Sequence, residues 1–61
     1  MKYMQKYTIE VPYEWSDCCR MGEDKVEIEL YAKSEEQARY FAKSAIENVI
    51  GVTKVYSTEL L

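Results

Sequence analysis

The chain has no histidine, and its two cysteines, Cys18 and Cys19, are adjacent. Without an imidazole there is no ready base to activate a nucleophilic thiol, and two vicinal thiols cannot complete a four-ligand zinc site. A bridge between neighbours closes almost no loop and is strained, so no disulfide framework is expected and a reducing compartment fits better. Arg20 beside the pair would favour a thiolate, yet with no base and no CxxC spacing both thiols read as structural or incidental. Apolar runs are short as well. None reaches the roughly 18 residues of a membrane-spanning helix. The start, residues 1–6, is not followed by an apolar segment of the secretory kind. A soluble cytoplasmic protein, with no membrane partner, is the expectation.

Basic charge is scarce and scattered. Eight Lys and Arg stand against eleven Asp and Glu, a formal net charge of −3, so nucleic acid is not an expected partner. No glycine-rich phosphate loop and no EF-hand pattern occurs, and no cofactor or metal is expected. Eleven carboxylates guarantee chance pairs. A catalytic pair also needs a cleft to shift one pKa, so no catalytic residue is assigned and the chain reads as a non-enzyme.

Sixty-one residues suffice for one domain. At this size only about 60% of the unfolded chain's surface is buried, and small domains supplement a thin core with disulfides, metals or self-association. The first two being disfavoured, a homodimer is expected.

What is present is patterned. Residues 3–11 alternate, with Tyr3, Tyr7, Ile9 and Val11 on one side, which predicts a strand over 2–11. Pro12 donates no ladder hydrogen bond and is expected to end it. Residues 12–24 follow neither period and predict a long loop. Lys25 to Lys33 alternate cleanly, with Val26, Ile28, Leu30 and Ala32 inward, a strand with one solvated face.

Ser34 followed by Gln37 matches a capping box, and Glu35 and Glu36 suit the start of a helix over 34–50. Ala38, Phe41, Ala42, Ala45, Ile46 and Val49 form its apolar stripe, and Glu35 and Arg39 stand four apart as an ion pair. Gly51 suits a left-handed residue past its end. Residues 52–60 predict a last strand, with a bulge or irregular start because Val52 and Val55 cannot share a face of a regular one.

The resulting order is ββαβ, an α+β fold. A three-stranded, largely antiparallel sheet of order 2-1-3 is expected, with the helix on one face and the other face open. The crossover should place the second and third strands parallel.

Function is expected where the helix is not. Within 12–24, Glu14, Asp17, Glu23 and Asp24 against Arg20 carry the whole net charge. Tyr13, Trp15 and Met21 add the large, stiff side chains that protein interfaces use. The bland alternative is that Trp15 folds back to cap a small core. Tyr31 and Tyr56, with Met4, could cluster on the open sheet face, again suited to a protein.

The expected function is thus a small regulatory or protein-binding module, for which a stand-alone phage-type inhibitor of a host protein is one specific form. Tyr13, Glu14, Trp15, Asp17, Arg20, Met21, Tyr31 and Tyr56 are its expected contact residues. A small-molecule or nucleotide site at a dimer interface is the alternative.

Overall fold

A computed structural model describes residues 3–61. The expected start of the first strand at residue 2 lies outside the described residues. β1 runs Gln5–Ser16, β2 Met21–Ala32, α1 Glu35–Glu47, β3 Val52–Val55 and β4 Glu59–Leu60. β1 is central, antiparallel to β2 on one side and to β3 and β4 on the other, which gives the order β2-β1-β3 with α1 on one face. The α+β architecture and strand order expected from the sequence are those observed.

The loop expected over 12–24 does not exist. β1 continues through Pro12 to Ser16, and β2 begins four residues before Lys25, so the two strands form one hairpin paired without interruption from Gln5↔Ala32 to Ser16↔Met21. The reason is which way Pro12 points. The carbonyls of Thr8 and Pro12 accept from Leu61 and Tyr56, so even-numbered residues of β1 direct their backbone groups away from β2. The N–H that Pro12 lacks therefore costs the hairpin nothing. Its place lies alongside residues 56–58, where β3 has ended and β4 has not begun.

The connection is only Asp17 to Arg20. The Asp17 N–H donates to the Arg20 carbonyl at 2.8 Å, and Asp17 Oδ1 accepts from the N–H of Cys19 and of Arg20 at 3.1 and 2.9 Å. An aspartate closing its own turn in this way is a known local device.

Ser34 caps α1, accepting the Gln37 N–H at 3.2 Å, while Gln37 Oε1 accepts from Lys33 rather than from Ser34. The helix stops at Glu47 rather than 50, with Asn48 as its cap. Residues 48–51 form a turn that ends on Gly51 at φ +99°, and the Gly51 carbonyl accepts from Ser16 at 2.8 Å. Of the expected apolar stripe, Ala38 and Ala42 are buried and Ile46 packs on the core, whereas Phe41, Ala45 and Val49 are exposed. The expected Glu35–Arg39 pair forms at 2.7 Å.

Ile9, Val11, Ala32, Ala38 and Ala42 are fully buried, and Tyr7, Val26, Ile28, Leu30 and Val55 pack around them. Two alanines on the inner face let the helix lie close on the sheet. The expected bulge appears where the register shifts between Glu14 and Trp15, with Tyr13 opposite Val55 and Trp15 opposite Val52. Thr53 is the extra residue, and Val52 and Val55 are both half-buried. The last strand is thus two pieces rather than one over 52–60, broken beside Pro12.

Candidate functional site

Helix and hairpin differ in length, and the site follows from that difference. Twelve residues per strand give a hairpin of about 40 Å, while the thirteen of α1 give about 20 Å. The helix therefore covers the half of the sheet near Ile9 and Val11 and leaves the half nearer the turn uncovered. Alternation continues there regardless. Tyr13 and Trp15 follow Ile9 and Val11 on the helix side of the sheet, each two residues on.

The outcome is an apolar groove of about 440 Å³ just past the helix end. Tyr13, Trp15 and Val26 from the hairpin form its floor, and Val52 from β3 closes one side. Ile46, Val49 and Ile50 form the opposite wall, and Asp17 stands on the rim at the hairpin turn. Val49 is 50% exposed and Ile50 entirely so, both in the turn that follows the last helical residue.

Trp15 is both floor and fold. It stands opposite Gly22, and its ring lies across that glycine: a Cβ there would be 2.8 Å from Trp15 Cζ2.

The other acidic residues divide between the two faces. Glu14 and Glu23 are opposite each other, and Tyr56 bridges them from beyond β3, its single hydroxyl proton shared between Glu23 at 2.9 Å and Glu14 at 3.2 Å. The hydrogen bond to Glu23, with partial burial and Glu14 adding to it, pushes the Tyr56 hydroxyl up from near 10 to about 12. Ionisation would place a third negative charge among these carboxylates. Lys54 Nζ sits 5.4 Å from the Tyr56 ring centroid.

The eight expected contact residues are thus only partly brought together. Tyr13, Trp15 and Asp17 line the groove. Glu14 and Tyr56 meet on the open face, and Met21 is exposed beside the turn opposite Ser16. Arg20 serves the turn through its backbone, and its side chain is exposed. Tyr31, opposite Lys6, stands about 26 Å along the hairpin from Tyr56's partner Glu14, so the two tyrosines share a face but do not cluster.

Val26, Ile46, Val49, Ile50 and Val52 belong to the groove and were not among the expected residues. The period of two running from Ile9 to Trp15 across Pro12 is the signal that would have kept Tyr13 and Trp15 in strand on the helix side, with Val26 opposite Val11. Cys18 and Cys19 are free and exposed at the tip, their sulfurs 3.3 Å apart, so neither packs in the core.

No helix among the described residues is long and apolar enough to cross a membrane. Comparison with protein-family models, curated proteins and solved structures finds no match to this chain.

Proposed function

We propose that this protein is a non-enzymatic binding module of a reducing compartment such as the cytoplasm, working as a homodimer. In this reading the groove past the helix end receives a bulky apolar side chain of a partner protein, flanked in that partner by Lys or Arg. The observation that carries it is the uncovered half of the hairpin. Tyr13, Trp15, Val49 and Ile50 present apolar surface with a concave shape, and a lone Ile at complete exposure has no role in the fold. Asp17 on the rim supplies the preference for basic flanks. An inhibitor that occupies a basic surface of its target, as phage proteins do, is one form of such a module.

Ile50→Arg is the variant of choice, since removing a fully exposed side chain leaves the core untouched. Selection from a displayed peptide library should enrich a bulky apolar residue with basic neighbours on the wild type and not on the variant. Binding should weaken with added salt. No enrichment on the wild type, or the same peptides on both proteins, rejects the reading.

A small apolar ligand is the second reading, because the groove's volume falls within the range of small-molecule pockets. Stabilisation of the wild type by an apolar compound in a thermal-shift screen, absent in Ile50→Arg, would favour it over a protein partner.

A further inference from the structure

β2 is an edge strand, and its free side is unusually well kept for pairing. Even-numbered residues of β1 turn their backbone groups toward β3 and β4, so odd-numbered ones bond β2, where their partners are even-numbered, as in Ile9↔Ile28 and Val11↔Val26. The odd-numbered residues of β2 therefore aim N–H and C=O outward: Met21, Glu23, Lys25, Glu27, Glu29 and Tyr31. None is proline, and no bulge interrupts the register over the strand's 12 residues. Uninterrupted edges are templates for another strand unless shortened, bent, covered or charged; this one carries charge of both signs at Glu23, Lys25, Glu27 and Glu29, which restricts what can pair with it.

Resting on the dimeric part of the reading above, we infer that this edge is the dimer interface: β2 pairs antiparallel with β2 of a second copy about a two-fold axis at Glu27. Charge selects both the occupant and the register. With the axis at Glu27, Lys25 stands opposite the partner's Glu29 and Glu29 opposite the partner's Lys25 on the open face. Glu23 meets the partner's Tyr31, whose hydroxyl can donate to it. On the helix face Val26 meets the partner's Ile28, so side chains left half-buried at the sheet's edge become covered. Only Glu27 faces its own copy. Moving the axis to Val26 sets Glu23 against Glu29 twice, and moving it to Ile28 sets Glu27 against Glu29 twice.

The geometry leaves room for both helices. A two-fold axis perpendicular to the sheet keeps them on one face, and each packs on β1, β2 and β3 alike, so its axis lies over β1. The two β1 strands are then three strand spacings apart, about 14 Å, against a helix diameter of about 10 Å. Each groove reaches β2 only at Val26, which the interface covers; Tyr13, Trp15, Val49, Ile50 and Val52, on β1, β3 and the turn after α1, lie away from the axis.

Multi-angle light scattering across a concentration series is the test. The wild type should reach twice 7.2 kDa. Glu27→Pro removes an outward N–H at the axis and none from the β1–β2 ladder, so it should be monomeric with an unchanged circular dichroism spectrum. Lys25→Glu, which does not touch the backbone, should weaken the dimer at least tenfold, and adding Glu29→Lys to it should restore the dimer.

A folded Glu27→Pro dimer, or a Lys25→Glu dimer as tight as wild type, overturns the edge assignment while leaving a dimer standing. A wild type of 7.2 kDa at every concentration overturns the edge and the dimeric reading together.

Discussion

Gly22 is the residue on which the distal hairpin depends, because the Trp15 ring occupies the space where a side chain would be. A Cβ would lie 2.8 Å from Trp15 Cζ2 and 3.0 Å from Cε2, closer than carbon atoms approach without one of them moving. Alanine in a strand should otherwise gain about 0.5–1 kcal/mol over glycine by stiffening the unfolded chain. Displacing a packed ring costs about 1–3 kcal/mol, so the clash outweighs the gain and Gly22→Ala should destabilise. Denaturant unfolding followed by the emission of the single tryptophan measures both effects at once, since the native spectrum should shift as the ring moves. A more stable variant with an unshifted spectrum would show that the ring is not held on Gly22. The sequence carries Tyr13 and Trp15 openly enough as large residues in step with Ile9 and Val11. What it conceals is the flat partner beneath Trp15, because a glycine among polar neighbours looks like a loop until the facing strand is known.

At the scale of elements, the helix shows a start more legible than its end. Ser34 and Gln37 mark the helix start through contacts three to four residues apart, all contained in the local sequence. Where the helix ends is decided by tertiary geometry: apolar residues continue to Ile50, but the chain must turn at Gly51 to return Val52 to β1. Pro12 shows the same limit. Whether it breaks a strand depends on which neighbour its missing N–H faces, and that neighbour, beyond β3, lies more than forty residues on.

The terminal piece β4 has just two residues, and Arg39 ties it down. Its guanidinium holds Glu35 Oε2 with two nitrogens, Nη2 at 2.7 Å and Nε at 3.0 Å, and donates to the Thr58 carbonyl and hydroxyl with the third. Arg39→Met keeps the apolar stem and removes the clamp. Global stability should fall by only about 1 kcal/mol, since these bonds are partly exposed. Amide exchange at Leu61, which donates to Thr8, should accelerate far more than exchange at Ile9 or Val11 in the core. Equal acceleration everywhere would mean that Arg39 supports the whole fold rather than its last strand.

Across the whole molecule, the helix secures one end of the sheet, and a different device secures the other. Near the turn no helix lies over the hairpin, and there Tyr56 links β1 to β2 from the segment after β3 by sharing its hydroxyl proton between Glu14 and Glu23. Only the protonated phenol can do so, which makes the contribution pH-dependent. Its folded pKa of about 12 lies above the value near 10 that tyrosine has in an unfolded chain. Below pH 10 both states hold the proton and the contribution is complete. Between 10 and 12 the unfolded chain releases the proton more readily than the folded one, so stability is lost as pH rises through that window and none remains to be lost above it. Comparing melting temperatures of the wild type and Tyr56→Phe isolates this residue, because the other five of the six tyrosines are common to both. The wild type should melt higher at pH 8, and the gap should close as pH climbs from 10 to 12. A gap that stays constant through pH 12 would mean that the hydroxyl does not bridge the two carboxylates in solution, leaving backbone pairing, the Asp17 turn and the Trp15–Gly22 contact to hold the distal hairpin on which the groove is built.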